Sequence, residues 1–483
     1  MGVASTVDGG TVGGERRRWW TLGAVSLGLF MIMLDNTVVF VALNSIQQDL
    51  HISTSELEWV VSGYALTFAA LMLTGGKLAD LLGRRLIFIV GLAIFTASSL
   101  ACGLATGAGF LIGARVVQGV GAALMNPATL SIITATFPPR QRGTAIGIWV
   151  GVSAMALAIG PLIGGVLTEK INWSWIFFIN VPVGIAGIIV SRLVIEESRD
   201  QSEEQRLDLP GLLTSAVGLF ALTYALIEGN NYGWSSTRII ASFVVAAVAL
   251  TTFVLLELHQ RVPMLDLSLF KNSTFAGANT TMLLVALAMF GVFFFNSLFL
   301  GQILGYSPIQ TGAAFLPMTV LIVFVAPLAG RFSDKIGSRW LMGTGLVLLA
   351  ASLLSFSTLD AGSSFWAILP GLILGGFGMS LAMTPTTAAA MGSVPVDKAG
   401  VGSAVLNSAR QVGGSTGIAL MGAIVAASVS VLPTSPAYSD QFVEGYHNAL
   451  HVAAAIAIVG AIVAVATVRK VRHPETQPVL EGA

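Results

Sequence analysis

Charge is what this chain has least of. Of its 483 residues only 10% are Asp, Glu, Lys or Arg, 24 of each sign, for a net charge of +0. A soluble domain carries roughly 25% charged residues, so too little charge is present to coat a globular surface in water. The balance of sign gives no field that would draw nucleic acid. Cysteine is nearly absent: Cys102 is the single thiol, which excludes an intrachain disulfide and reads as a small packing residue in an apolar run. His51, His259, His447, His451 and His473 are scattered through loops and span ends, so no metal site is expected. G-x-x-x-x-G-K-[ST], H-E-x-x-H and G-x-S-x-G are all missing, and Gly75-Gly76-Lys77 runs on into Leu78. The chain therefore does not read as an enzyme or an ATP-driven machine, and no cofactor is expected.

Apolar residues are what is abundant, at 55% of the chain and a mean hydropathy of +0.83. A membrane-crossing helix needs about 20 mostly apolar residues, so there is material for about 13 spans before Gly, Ser and Thr are counted. Reading along the chain gives about 14, near 20–43, 59–77, 86–105, 110–132, 143–168, 175–195, 209–228, 238–257, 273–300, 311–330, 340–358, 365–389, 400–427 and 447–468. Unbroken runs of this length argue against an outer-membrane barrel, whose strands alternate. The expectation is an all-α polytopic membrane protein. Arg16, Arg17 and Arg18 precede a run too long for a signal-peptide core, so no cleavable signal is expected.

An even number of spans puts both termini on one side. With the N-terminus inside, 20 of the 24 basic residues fall in cytoplasmic segments, Arg206, Arg261, Lys470 and Arg472 among them, and only Lys170 and Arg238 fall outside. The positive-inside rule then sets both termini in the cytoplasm of a plasma (inner) membrane protein. Arg115 and Arg410 remain, both within spans; Arg410, in the inner third of its span, is expected to reach the cytoplasmic interface.

The two halves repeat. Gly76-Lys77-Leu78-Ala79-Asp80-Leu81-Leu82-Gly83-Arg84-Arg85 aligns with Gly330-Arg331-Phe332-Ser333-Asp334-Lys335-Ile336-Gly337-Ser338-Arg339 at one offset, 254 positions. The copies lie eight spans apart, so the halves share one orientation, the mark of a parallel repeat about an axis along the membrane normal. The reading is two six-helix bundles, 1–195 and 273–483, with a hinge and two inserted helices in 196–272.

Further motifs occur in order: Leu34-Asp35-Asn36-Thr37-Val38-Val39, the loop at Gly76–Arg85, Arg115-Val116-Val117-Gln118-Gly119, Gly160-Pro161-Leu162-Ile163-Gly164-Gly165, and Trp173 through Pro182. Over nearly its whole length the chain resembles the major facilitator superfamily, in its 14-helix drug:proton antiporter branch. The first-helix pattern departs from that branch at Phe40 and Asn44, where it usually has Asn and Pro. The resemblance implies proton-coupled export of drugs or antibiotics by alternating access, a proton-coupling role for Arg115, and an antiporter helix carrying Gly160, Pro161, Gly164 and Gly165.

The residues support chemistry of their own. Asp35 lies deep in the first span, where a carboxylate is costly and functional by default. Neutral when protonated and cation-attracting when ionised, it can hold a proton or a cationic compound in turn. A structural pair is the alternative. Arg115 needs a partner, and Asp35 is the obvious one. Gln118, three residues on, shares its face and is either a cavity donor or an interhelical hydrogen bond. Asn36, Tyr64 and Asn296 are candidate cavity liners. Gly76, Lys77, Asp80, Gly83, Arg84 and Arg85, with Asp334 and Arg339 in the second copy, form a candidate cytoplasmic latch, Asp80 accepting from its own loop or from the opposite bundle. Gly160, Gly164 and Gly165 permit close helix approach and Pro161 a bend, suited to sealing the cytoplasmic side or to pivoting. Glu228 and Glu257 are expected to meet water at span ends. Asp35 is then the one deep acid, and the driving ion is H⁺. The expected partners are lipid, protons and small amphiphilic substrates, with no nucleic acid and no obligate protein. A proton-coupled importer and a lipid or lipid-precursor flippase are the rival readings.

Overall fold

The computed structural model describes residues 12–199, 207–260, 263–395, 398–431 and 435–469. Arg206, Arg261, Lys470, Arg472 and His473 lie outside them. Among the described residues, 14 helices are long and apolar enough to cross a membrane. Helices are what lipid permits, since each closes its backbone hydrogen bonds within itself.

The first bundle holds α1 (Val12–Leu50), α2 (Thr54–Leu82), α3 (Arg84–Gly103), α4 (Ala108–Thr136), α5 (Pro139–Lys170) and α6 (Trp175–Val194). The inserted pair is α7 (Leu209–Tyr232) and α8 (Thr237–His259). The second bundle holds α9 (Ser273–Leu298, extended by a π-helical turn Phe299–Ile303), α10 (Pro308–Ala314, resumed as Leu316–Ile336), α11 (Ser338–Phe356), α12 (Phe365–Gly392), α13 (Ala399–Ser428) and α14 (Tyr438–Thr467). Several helices, α1, α2, α10 and α14 among them, run a turn or more past the expected spans, and two of these start on polar caps. Ser53 and Glu56 make a capping box on α2, and Ser307 and Gln310 make another on α10.

The sequence repeat is also a backbone repeat. Gly83 and Gly337 break the matching loops with φ of +123° and +92°, a region that favours glycine. Within the first bundle α4 packs on α2 and α3, and α1 packs on α5; within the second, α11 packs on α12 and α9 on α13. The bundles meet where α13 lies on α2 and α10 on α5, and α7 bridges α2 and α13. α8 packs on α7 and turns Val244, Val248 and Leu258 outward, an apolar face suited to lipid. α1 begins and α14 ends on the same face, called here the terminal face.

Candidate functional site: a sealed charge centre behind an apolar cavity

The charge centre is built by the crossing of α2 and α4. A β-carbon on Gly119 would lie 2.6 Å from the Tyr64 carbonyl oxygen, so glycine is what lets the two backbones touch. That approach lays Arg115 across α2, where its Nε donates to the Val60 carbonyl at 3.1 Å. Its Nη1 donates to Asp35 Oδ2 at 2.5 Å and to Gln118 Oε1 at 2.6 Å. Gln118 Nε2 donates to the other Asp35 oxygen at 3.0 Å and to Ser99 Oγ at 2.7 Å. The Tyr64 ring lies 4.3 Å from the guanidinium carbon, a cation–π contact. Asp35, Arg115 and Gln118 are all at most 1% exposed. Both carboxylate oxygens are satisfied, as a buried ion must be.

The cavity lies on the other side of α1. It opens between the bundles. α1 contributes Met33, Asn36, Thr37, Phe40 and Val41; α5 contributes Pro161; α9, α10 and α12 add Phe290, Phe293, Phe315, Met379 and Met383. Phe40 stacks on Phe293 at 6.0 Å, and Phe293 lies 5.3 Å from Phe315. The wall is aromatic and methionine-rich, a surface that adapts to varied apolar shapes. Its single charged residue, among those described, is Arg410 of α13, beside Gln411.

Several expectations change here. Arg410 lines the cavity and does not reach the interface. Of the four residues expected in the cavity wall, Asn36 is there. Tyr64 and Gln118 belong to the charge centre, so for Gln118 the interhelical hydrogen bond is the reading that holds. Asn296 is 5% exposed and accepts from the Tyr446 hydroxyl. Asp35 is sealed from the cavity, so direct exchange of proton and compound at one carboxylate does not describe this geometry. Glu257 is buried at 3% exposure and accepts from the Leu265 amide. A second buried acid stands near the start of α2: Glu58 is 3% exposed, set over Gly422 of α13, with no partner for Oε2. Glu58 was missed because the apolar run that marks its span begins one residue later.

Hydrogen bonds between the bundles cluster toward the face opposite the termini. Asn44 Nδ2 donates to the Ser297 carbonyl at 3.2 Å, and Gln302 Nε2 to Gln47 Oε1 at 2.6 Å. Glu169 accepts from Ser307 Oγ at 2.5 Å and from the Ile309 amide at 2.9 Å. The first two pairs are separated by 253 and 255 residues, either side of the repeat offset. α1 and α9 therefore meet at equivalent positions about the pseudo-twofold axis. Phe40 and Asn44, the two departures in the first-helix motif, sit one in the cavity wall and one on this seam.

The antiporter-helix glycines join the same seam. A β-carbon on Gly164 would lie 2.9 Å from the Val38 carbonyl, and one on Gly165 would lie 3.0 Å from Ile309 Cα. Gly160 abuts Thr37. The close approach is thus toward the Lys170 end of α5, away from the terminal face, so of the two expected roles this placement suits the pivot and not the cytoplasmic seal. Pro161 lines the cavity, and Gly312 of α10 packs on its carbonyl.

On the terminal face the loop Gly76–Arg85 bonds to its own residues and to the start of the hinge. Asp80 pairs with Arg84 at 3.0 Å. Glu197 accepts from the Arg85 and Leu86 amides at 3.0 and 3.1 Å, capping α3 as an anion at a helix N-terminus. Gly76 packs on Pro127, and Lys77 is half-buried. In the second copy Ser333 and Ser338 hydroxyls meet at 2.6 Å and Arg339 lies over Trp340; the Asp334 side chain lies outside the description.

Two bundles enclosing a central cavity, closed at one face, define a multi-pass membrane transporter. The chain matches the Major Facilitator Superfamily over residues 25–283 and 279–482, and it belongs to that family. It is 36% identical over 428 residues to the tetracenomycin C resistance and export protein of Streptomyces glaucescens, covering 89% of this chain and 79% of that one. It is 38% identical over 417 residues to the multidrug resistance protein Stp of Mycobacterium tuberculosis, covering 86% and 77%. It is 36% identical over 462 residues to the puromycin resistance protein pur8 of Streptomyces alboniger, covering 94% and 92%. These relatives place it in the drug-resistance and export branch. In fold it resembles a bacterial homologue of the lysosomal transporter Spinster, with a TM-score of 0.67 at 19% identity, covering 93% of this chain and 96% of that one.

Proposed function

We propose that this chain exports small amphiphilic compounds across the plasma membrane, driven by proton entry, with both termini in the cytoplasm. The carrying observation is that one helix, α1, holds Asp35 of the charge centre, five residues of the cavity wall and the seam donor Asn44. A proton on Asp35 removes the charge that holds Arg115. A protonated Asp35 still offers Arg115 an acceptor, so the bond weakens by about 1–3 kcal/mol and is not lost. Inverting a two-state equilibrium from 1:99 to 99:1 takes about 5.5 kcal/mol, so protonation supplies part of what a full conformational switch needs, and cargo binding supplies the rest. In the outward-facing state Asp35 takes up a proton from outside, α1 shifts against α4, and the seam bonds to Ser297 and Gln302 close; release of that proton to the cytoplasm restores the Arg115 pair of this conformation, from which bound cargo carries the molecule outward again. The closed seam, and a terminal-face loop free of the second bundle among the described residues, support reading this conformation as inward-facing, with 1–195 moving against 273–483 and the Asp80 loop latching in the other state.

The names of the relatives supply the compounds to try. An efflux-deficient host expressing the chain is expected to tolerate more tetracenomycin C or puromycin and to accumulate less of it. A protonophore, or Asp35→Asn, is expected to restore accumulation. Export that continues under the protonophore would remove the proton from the mechanism, and no change in either compound's accumulation would sink the efflux reading.

A further inference from the structure

The cavity wall contains a cation that nothing in the protein satisfies. We propose that Arg410, assisted by Gln411, is the recognition end of the substrate site, and that the preferred cargo is an aromatic or polycyclic molecule carrying an ionised oxygen (a phenolate, enolate or carboxylate) and not an organic cation. This rests on the efflux reading and adds the chemical class of the cargo.

Three observations carry it. Arg410 is the one charged residue in the described wall, and its buried Nε has no hydrogen-bond partner. None of the six ion pairs among the described residues includes it. Gln411, next in the chain, is 1% exposed, lines the same wall, and leaves Nε2 without an acceptor. Two adjacent donors are therefore desolvated and unused, an arrangement that costs stability unless a ligand completes it. A guanidinium fork matches an oxyanion better than it matches any neutral acceptor. The remaining wall fits a flat ring system, with Phe293 between Phe40 and Phe315. A lipophilic cation would meet Arg410 with no carboxylate to offset it, because Asp35 is spent on Arg115 behind the wall.

Fluorescein and rhodamine 123 test this directly, since they share a xanthene frame and carry opposite charge. Binding of each to the purified full chain is read by fluorescence anisotropy at a pH where fluorescein is ionised. The wild type should bind fluorescein at least about tenfold more tightly, the least that a hydrogen bond to a charged group is worth. Arg410→Gln should erase that preference while rhodamine 123 binding holds or tightens. Arg410→Lys should keep part of it, and Gln411→Leu should weaken fluorescein less than Arg410→Gln does. Each variant is first shown to elute as the same monodisperse species as the wild type. Tighter binding of rhodamine 123 by the wild type, an unchanged ratio in Arg410→Gln, or binding of neither dye overturns the proposal. Protonophore-sensitive drug export by wild-type cells, measured alongside, separates the outcomes: if it persists, only the charge class is wrong; if it is absent, the efflux reading fails as well.

Discussion

Arg115 and Arg410 are both arginines within membrane helices, and the protein treats them in opposite ways. Arg115 is 1% exposed and donates to a carboxylate, an amide oxygen and a backbone carbonyl, with an aromatic ring on its face. Arg410 faces a cavity and has none of these. The repeat sharpens the contrast: at the offset of 254 positions Asp35 corresponds to Met289, which also lines the cavity. The acid exists in one bundle only. A cation with a built-in partner holds the fold and responds when that partner is neutralised. A cation without one leaves its donors available to a ligand.

The largest expected effect follows from removing each cation in turn. Arg115→Met leaves Asp35 buried with Gln118 alone, which should cost about 3–5 kcal/mol. It should appear as loss of monodisperse protein or a large fall in melting temperature in detergent. Arg410→Met removes an uncompensated charge, so its melting temperature should equal or exceed that of the wild type. The comparison breaks if the two variants melt alike.

Asp35→Asn is the next test, and it separates holding from responding. Asparagine keeps an acceptor for Arg115 but cannot take up a proton. Folding should survive with a loss of about 1–3 kcal/mol for the weakened bond, and export driven by a pH gradient should stop. Gradient-free exchange of labelled drug across proteoliposomes should continue. Loss of that exchange too would assign Asp35 to binding and not to coupling.

How much of this was legible in the sequence depends on whether the signal is local. Hydropathy needs only neighbouring residues, so the 14 spans could be read directly; the inserted pair follows from counting spans between the two copies of the repeat. Gly83 and Gly337 were legible because a tight turn asks for glycine wherever it occurs. The Asp35–Arg115 pair could be inferred because few buried charges leave few possible partners. Arg410 was misplaced because its helix scatters polar residues (Ser403, Asn407, Ser408, Gln411, Ser415) around more than one face, so the sequence does not reveal which face looks into a cavity. Glu197 as the cap of α3 lies 112 residues from Arg85 along the chain, a distance at which no local pattern operates. The Asn44–Ser297 and Gln47–Gln302 contacts had a usable signal, the repeat offset itself, since equivalent residues approach one another at a twofold axis.

Farther from the centre, charges count for less. Glu169 is part of the seam opposite the termini, accepting from α10 at the edge of the membrane. Glu169→Gln should leave melting nearly unchanged and raise the fraction of molecules open at that face. Paired spin labels on the outer ends of α5 and α10 would report longer distances. An unchanged distance distribution would mean that glycine packing at Gly164 and Gly165 alone holds the seam.

The smallest effect should come from Asp266 and Lys398, a pair linking the hinge to the start of α13. They lie 2.6 Å apart with side chains 31% and 42% exposed. The hydrogen bond from Lys398 holds the Asp266 carboxyl below its ordinary range. A folded value below the unfolded one means the pair stabilises above the ordinary carboxylate range and loses that contribution as pH falls through the folded value. Water screens it on both sides, so Asp266→Asn should cost no more than about 1 kcal/mol at neutral pH, and wild type and variant should converge in melting temperature under acid conditions. Added salt should shrink the neutral-pH difference, while the gap between Arg115→Met and wild type should barely respond to salt, because no ions reach the sealed centre. If salt moved both gaps equally, exclusion of solvent would not be what separates the buried pair from this exposed one.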